Sequence, residues 1–301
     1  ITKLETNPEA WFAYYFEDFY TCKAAKFQVE ATKRLLNTNR IYEVRAWSRE
    51  LAKSVRGMME DIYMALMGID NNMLLVSNSY DNALRLLMPY MINFESNPRI
   101  INDYGKHVKQ GFWEAGDFVI NKGCSFRAIG AGQSPRGTRN KAKRPDKIRI
   151  DDIDTDEETR NPKRIKEKWE WIEKALIPTV SVSGNYKIIF HGNIIAKDCT
   201  ITRAIGKADY SDIINIRDKN GKSVWPEKNT EKDIDDILSK ISYASAQAEY
   251  FNNPITEGSV FKEITWGEVP ELNKFSFVVA YGDPATSNKD NKSTSYKSVF
   301  L

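Results

Sequence analysis

Ala46-Trp47-Ser48-Arg49-Glu50-Leu51-Ala52-Lys53-Ser54 connects a predicted strand, residues 40–46, with a predicted amphipathic helix. The helix is predicted from apolar residues spaced at i, i+3, i+4, i+7 and i+11, namely Val55, Met58, Met59, Ile62 and Leu66. Lys53 and Ser54 therefore stand at a helix N-terminus, where unpaired backbone N–H groups and the helix dipole attract anions. We predict that this loop binds phosphate.

The spacing of Lys53 and Ser54 matches the phosphate-binding motif G-x-x-x-x-G-K-[ST]. In that motif the lysine contacts the outer phosphates, and the small hydroxyl can ligate magnesium. Both glycines are replaced here, by Trp47 and Ala52. Taken alone, such a loop is more often an ordinary strand-to-helix turn, so a nucleotide site requires an acidic strand as its partner.

Composition limits the class of protein. A chain of 301 residues, 41% hydrophobic and 28% charged, can bury one large core and a smaller second unit. No apolar run is long enough for a membrane span, and the start lacks a signal peptide and a methionine, so we expect a soluble fragment. Three scattered cysteines favour a reducing cytoplasm over a disulfide framework. A net charge of +3 does not by itself indicate nucleic-acid binding.

The segments after the loop alternate between helix and strand patterns. A buried strand is predicted over residues 73–77 and a helix over residues 82–92. Strands follow at residues 117–120, 125–129, 148–151 and 186–190. This alternation predicts an α/β domain built on a parallel sheet.

The strand that begins at Ile148 ends in paired carboxylates, Asp151 and Asp152. In a magnesium–nucleotide site one acid orients the metal's water shell and its neighbour polarises the attacking water. We interpret the acidic run that follows, residues 154–158, as a solvated turn or helix N-terminus, because a helix capped by Asn161 and started by Pro162 is predicted directly after it.

Two polar features have alternative interpretations. Residues 130–149 are rich in Gly, Lys and Arg, which predicts an exposed loop that is either merely solvated or supplies Arg136 to a phosphate and other cations to nucleic acid. Gln28 lies among aromatic residues, where an amide could read an adenine edge, although most such aromatics are core.

Five segments in a fixed order carry a family resemblance: SRELAKS, GQSPRGTRNKAKRPDKIRIDDIDTDEETRNP, IIFHGN, EYFNNPITEGSVFKE and FVVAYGDPATS. Together they resemble the large terminase subunit of tailed bacteriophages over nearly the whole chain. The resemblance implies an additional-strand P-loop ATPase with a mainly parallel central sheet flanked by helices. It also implies a ribonuclease H-like nuclease that follows the ATPase domain and cuts concatemeric DNA.

The resemblance assigns the nucleotide site residue by residue. It implies a variant Walker A loop, which in the family often lacks the glycines and keeps an arginine at the place of Arg49, made of Ser48, Arg49, Glu50, Leu51, Ala52, Lys53 and Ser54. Lys53 would contact the outer phosphates of ATP, Ser54 would ligate Mg²⁺, and Arg49 would sense the γ-phosphate or couple hydrolysis to movement. Asp151 would be the Walker B aspartate and a second Mg²⁺ ligand.

Other residues carry roles by the same resemblance. Asp152 would be the catalytic carboxylate where relatives commonly have glutamate, with Glu157 or Glu158 as less favoured alternatives. Gln28 would read adenine, and Arg136 would act on the ATP of a neighbouring subunit. Gly192-Asn193 occupies the coupling motif, where relatives often have Gly-Thr.

For the domains, we predict an ATPase domain at residues 1–209, an irregular lid subdomain or linker at 210–272 containing a helix at 234–252, and a truncated nuclease at 273–301. A strand at residues 275–281 would lead to Asp283, a ligand of the nuclease's Mg²⁺ or Mn²⁺ ions. The downstream acids are missing, so we expect that this chain by itself does not cut DNA.

The implied partners are double-stranded DNA, the portal protein, the small terminase subunit and identical subunits in a ring on the procapsid. We expect the ring to be a pentamer in the host cytoplasm and to have no membrane partner. For the isolated chain in solution, a monomer is the alternative. The alternatives are a catalytically impaired nucleic-acid-binding relative and another P-loop DNA helicase or translocase.

Overall fold

The computed structural model describes residues 2–108, 111–138, 140, 142–255, 281–283 and 298–300. Residues 1–257 form one compact unit, and residues 258–301 form a second. In the part of the chain so described, no helix is both long enough and apolar enough to cross a membrane.

The strands are β1 (Arg40–Trp47), β2 (Asn72–Ser77), β3 (Trp113–Glu114), β4 (Asp117–Val119), β5 (Ser125–Gly130), β6 (Lys147–Asp151), β7 (Tyr186–His191), β8 (Tyr210–Ile214), β9 (Tyr281–Asp283) and β10 (Ser298–Phe300). The α-helices are α1 (Thr2–Glu5), α2 (Pro8–Tyr15), α3 (Lys26–Asn37), α4 (Lys53–Leu66), α5 (Tyr80–Ser96), α6 (Pro98–Tyr104), α7 (Asp156–Thr159), α8 (Pro162–Trp171), α9 (Thr200–Ile205), α10 (Glu231–Leu238) and α11 (Tyr243–Phe251). Helix α8 continues into a π-helical turn (Ile172–Leu176) and a 3-10 turn (Ile177–Thr179).

Eight strands form one sheet in the order β3-β4-β5-β2-β6-β7-β1-β8. All neighbours are parallel except the pairs β3–β4 and β4–β5. Strand β7 lies between β1 and β6, so the phosphate-loop strand and the acidic strand end on either side of it, at the same carboxyl edge of the sheet. Ligand sites of open α/β sheets form at that edge.

Helices cover both faces of the sheet, and the central strands are buried on both sides. One apolar cluster joins α2, α4, α5 and α6 to one face, and a second joins α8 and α9 to the other. The predicted apolar stripe of α4 contributes Met58, Met59, Ile62 and Leu66 to the first cluster. Strands β2 and β6 are buried at every residue, as expected for parallel strands with helices on both faces. The predicted α/β class is confirmed.

The structure corrects two predictions near the end of the first unit. Residues 210–214, predicted to be irregular, form β8 and pair with residues 43–47 of β1 at the sheet edge. Residues 234–252, predicted as one helix, contain the end of α10, a break at residues 239–242 and the whole of α11. Ser242 caps the new helix by accepting a hydrogen bond from the Ser245 N–H. The domain division proposed from the sequence stays a prediction.

The second unit is described only by its two short strands. β9 and β10 pair in antiparallel fashion, and Asp283 is the last residue of β9. Residues 275–280 of the predicted nuclease strand lie outside the described residues. The nuclease therefore stays a prediction.

Candidate nucleotide-binding site

The loop between β1 and α4 adopts a phosphate-loop geometry without glycine. Glu50 (φ 67°) and Ala52 (φ 55°) both take left-handed backbone conformations. Ala52 stands at the second glycine position of the motif, where a positive φ lets the chain turn directly into the helix. Trp47, at the first glycine position, is the buried last residue of β1. Because the strand backbone is extended there, no glycine is required.

Backbone contacts hold this loop in place. The Ser48 N–H donates to the Ile214 carbonyl at 2.9 Å, which ties the loop to β8. Lys228 Nζ donates to the Glu50 carbonyl and carboxylate, each at 2.9 Å. Gln28 Nε2 donates to the Leu51 carbonyl at 3.0 Å.

Gln28 is only 2% exposed, and its amide is used within the chain. Its Oε1 accepts from the Ala25 N–H at 3.0 Å while its Nε2 holds Leu51. Gln28 does not line the cleft at the loop. In this structure the residue fastens the loop, and its adenine-reading role stays a prediction.

Lys53 begins α4 and points to the end of β7. Its Nζ donates to Asn193 Oδ1 at 3.0 Å and lies 3.6 Å from Asp152 Oδ1. The lysine therefore connects the phosphate loop with the residues that follow β6 and β7. Asn193, which stands where relatives often have threonine, thus directly contacts the lysine that is predicted to bind phosphate.

Asp151 and Ser54 meet at the cleft floor. Asp151 is 4% exposed and lines the cleft with Ser54, and its Oδ1 has no hydrogen-bond partner among the described residues. Burial and then the neighbouring Asp152 raise the pKa of Asp151 to about 6, against the opposing effects of Lys53 and Ser54. A buried carboxylate oxygen without a partner, beside a serine hydroxyl, is the donor set expected of a Mg²⁺ site.

These donors fit a magnesium ion that is shared with a nucleotide. No group of three or more His, Cys, Asp or Glu side chains in the described ranges could hold a metal unaided. Mg²⁺ commonly uses one or two protein ligands and completes its shell with phosphate oxygens and water.

Asp152 takes a left-handed backbone conformation (φ 42°), and its side chain is 65% exposed at the cleft. The alternatives Glu157 and Glu158 do not line the cleft. Glu157 pairs with Arg164 at 2.8 Å, and Glu158 pairs with Lys168 at 2.5 Å. Of these three acids, Asp152 alone lines the cleft, and its catalytic role stays a prediction.

A cleft of about 560 Å³ contains five of the predicted site residues, whereas Ser48, Glu50, Leu51 and Ala52 do not line it. It is lined by Arg49, Lys53, Ser54, Asp151, Asp152 and Asn193. Arg136 is not among the lining residues; it is exposed and borders a separate depression with Arg144 and Lys174. Within this chain Arg136 does not reach the cleft, and its action on a neighbouring subunit stays a prediction.

Sequence reasoning missed Glu249 of α11. Its carboxylate pairs with the Arg49 side chain, and its carbonyl accepts from the Arg49 N–H at 3.0 Å. Asn193 Nδ2 donates to the same carbonyl at 2.8 Å and to the carboxylate at 3.1 Å. Glu249 begins the segment EYFNNPITEGSVFKE, but no role in the site was predicted for it, because its partners lie far away in the sequence. The cleft is also lined by Asn78, Asn82 and Arg85, which no sequence motif indicated as site residues.

Two charged segments differ from their predicted settings. Asp154, expected in a solvated turn, accepts from the Thr200 N–H at 2.7 Å and hydroxyl at 2.5 Å, and so caps α9. Lys147 was expected in an exposed basic loop, and Arg149 was included both in that loop and in the predicted strand; both residues belong to β6 and are buried. Both corrections arise because helices pack over these positions.

Comparison with known proteins gives a likeness of fold. No family model and no curated protein matches the sequence. The large terminase of bacteriophage HK97 superposes with a TM-score of 0.53 at 9% identity, over 77% of this chain and 51% of that chain. The large terminase ATPase domain of Thermus phage P74-26 gives a TM-score of 0.48 at 16% identity, over 80% of this chain and 97% of that one.

The fold and the site together define an α/β protein with a mainly parallel sheet and a cleft at its carboxyl edge, lined by a lysine, a serine and two aspartates. This chain is structurally similar to phage large terminases, as the sequence resemblance predicts. It spans about half the length of the HK97 chain.

Proposed function

We propose that this chain is the ATP-hydrolysing motor part of a phage large terminase, which moves viral double-stranded DNA into a procapsid. One observation carries the proposal: Lys53 and Ser54 at the start of α4 and Asp151 at the end of β6 line one cleft, on a fold similar to that of the HK97 large terminase. A strand-to-helix turn without a ligand would not require the buried, unpaired carboxylate oxygen of Asp151.

In this proposal the cleft binds ATP with Mg²⁺. Lys53 and the first N–H groups of α4 hold the outer phosphates, and Ser54 with Asp151 would hold the metal. Bound Mg²⁺ neutralises charge on the phosphates. Arg49 is 61% exposed at the rim and can turn towards the γ-phosphate if it leaves Glu249.

Asp152 orients and polarises the attacking water. Its exposed carboxylate faces the cleft 3.6 Å from Lys53, beside the place proposed for the outer phosphates. A positioned carboxylate of this kind contributes about 10²–10⁴-fold to a rate. The side chain is one methylene shorter than glutamate, so the water would sit closer to the end of β6.

The proposed partners follow from the motor role. Identical subunits would form a ring, with five members expected, in which Arg136 of each subunit acts on the neighbour's ATP. The ring would sit on the portal protein, take substrate from the small terminase subunit and grip double-stranded DNA in the host cytoplasm. The parent protein would also cut DNA with Mg²⁺ or Mn²⁺ held in part by Asp283.

The test is magnesium-dependent ATP hydrolysis with and without double-stranded DNA. We expect Lys53→Ala and Asp152→Asn each to lose about 10²-fold or more in rate. Lys163→Ala serves as the control, because that lysine is exposed on α8 and away from the cleft. Wild-type-like hydrolysis by both cleft variants would refute the assignment.

A second candidate is a nucleotide-binding relative that does not turn over ATP. The short carboxylate of Asp152 and the engagement of Arg49 by Glu249 favour it. This candidate is supported if the wild-type protein binds MgATP but never hydrolyses it, even at high protein concentration with DNA.

A further inference from the structure

A layer of buried ionisable side chains lies between α4 and the sheet. It contains side chains from α4 and from three neighbouring strands, and all of them are buried: Glu43, Arg45, Arg56, Glu60, Asp61, Lys147, Arg149, Lys187 and His191. Replacing buried ion pairs with well-packed apolar residues is often neutral or stabilising. Stability alone therefore does not account for this layer.

Arg149 contacts two of the elements around it. Its Nε and Nη2 donate to the two carboxylate oxygens of Asp61 on α4 at 2.6 and 2.7 Å. Its Nη1 donates to His191 Nε2 at 2.8 Å, at the end of β7. Although burial would raise the pKa of Asp61, Arg149 and Lys147 outweigh it and hold that pKa at about 2. The carboxylate partner is therefore ionised at every ordinary pH.

The backbone of α4 lies against the guanidinium. A Cβ atom added at Gly57 would stand 2.7 Å from Arg149 Nη1 and 2.9 Å from His191 Cε1. Gly57 follows Ser54 by three residues, about one helical turn. Arg149 precedes Asp151 by two residues, so the two side chains share a face of β6. Arg149 therefore sits under the point where Ser54 meets Asp151.

We propose that Arg149 is a positioning residue, which fixes α4 against β6 so that Ser54 and Asp151 can share a metal ion. This inference rests on the proposed nucleotide site. A planar guanidinium that binds Asp61 through two parallel hydrogen bonds fixes the helix in register along the strand. An apolar layer would fill the same volume but would let α4 slide.

The proposal predicts a specific loss. Arg149 touches neither phosphate nor metal in this arrangement, so its removal should spare the contacts made by Lys53 and the helix N-terminus. The part of nucleotide affinity that depends on Mg²⁺ should fall, because it requires Ser54 and Asp151 at the correct separation. Supporting residues of a metal site typically contribute about 10- to 100-fold in affinity or activity.

The experiment measures the dissociation constant of a fluorescent ATP analogue with Mg²⁺ and with EDTA. We expect Arg149→Met to lose about tenfold or more of the Mg²⁺-dependent enhancement, with little change in EDTA, and Arg149→Lys to recover part of it. Gly57→Ala, which pushes on the guanidinium from the helix side, should show the same selective loss and decides the matter if Arg149→Met does not fold.

Lys187→Met is the matched control. Lys187 pairs with Asp70 at 2.8 Å and is equally buried, but no hydrogen bond or ion pair joins it to α4. It should keep the full Mg²⁺ enhancement. The inference is overturned if folded Arg149→Met or Gly57→Ala keeps that enhancement, or if Lys187→Met loses it equally. A wild-type protein that binds no nucleotide in either condition would instead overturn the proposed function.

Discussion

Single residues of the loop show how the tight turn between β1 and α4 forms without glycine. Ala52 and Glu50 both carry a Cβ in the left-handed region, where the side chain crowds the following carbonyl. Such a conformation costs about 1–2 kcal/mol for each ordinary residue. Contacts from Gln28 and Lys228 to the loop carbonyls offset part of that strain.

We expect Ala52→Gly to raise the free energy of unfolding by roughly 0.5–1 kcal/mol, because relief of the left-handed strain exceeds the added backbone entropy of glycine. Ala13→Gly provides the contrast, since Ala13 is exposed in the right-handed helix α2 and its replacement should destabilise by about 1 kcal/mol. Urea unfolding of the three proteins measures both changes. Equal losses in the two variants would contradict the strain argument.

At the scale of elements, α11 is clamped to the carboxyl edge of the sheet. Glu249 holds Arg49 and Asn193 near one end of the helix. Asn252, just beyond α11, donates to the Ala46 carbonyl at 3.1 Å and accepts from the Ile194 N–H at 3.0 Å. The Glu249 carboxylate is therefore paired with Arg49, the arginine that is proposed to contact the γ-phosphate.

Removing the negative charge of Glu249 should increase the affinity for MgATP. We expect Glu249→Gln to tighten MgATP binding by up to about fivefold, equivalent to the ~1 kcal/mol of a partly exposed ion pair. Glu227→Gln removes the same charge from an exposed position that does not line the cleft. Titration calorimetry of both variants decides the matter. Weaker binding by Glu249→Gln would mean that Glu249 holds Arg49 in its productive position.

The elements that the sequence missed have weak patterns. β8 is a sheet edge, and three of its five residues are exposed, so it lacks the apolar run of a buried strand. The break between α10 and α11 contains neither Gly nor Pro. A closer reading of caps could have found it, because Ser242 precedes α11 and Thr230 with Asp233 forms a capping box before α10.

The free energy of unfolding of the first unit should depend on pH through two buried groups, Asp151 and His107. The pKa of Asp151 is raised from 3.8 to about 6, so its ionised form weakens the folded state at neutral pH. This penalty declines as the pH falls below 6 and is lost below the unfolded-state pKa of 3.8. His107 behaves oppositely. Burial lowers its pKa to about 4, so it contributes stability above pH 6.5 that is lost as the pH falls towards 4.

Asp151→Asn isolates the first effect. We expect it to raise the free energy of unfolding of the ligand-free protein by about 2–3 kcal/mol at pH 7.5, with the gain falling to about half of that at pH 5. The same variant should lose Mg²⁺-dependent nucleotide binding, a common trade between stability and function. Asp236→Asn, at an exposed residue of α10, should change neither. A gain of equal size at both pH values would rule out titration of Asp151 as the cause.

The sequence by itself determined the alternation of strands and helices, the loop before α4 and the acidic end of β6. These features depend on periodicity and on neighbours in the chain, so they are visible locally. The same local signals placed Lys53, Ser54, Asp151 and Asp152 in one predicted site, and the structure brings all four to one cleft.

Only the tertiary structure decided which partner each charge takes. Arg149 points inward to Asp61, Asp154 caps α9, and Glu249 meets Arg49 across 200 residues. Charged residues look alike in a sequence whether they face water or a buried partner. The choice depends on which strand lies beside which and on the helix packed above, and strand order is set by the whole chain.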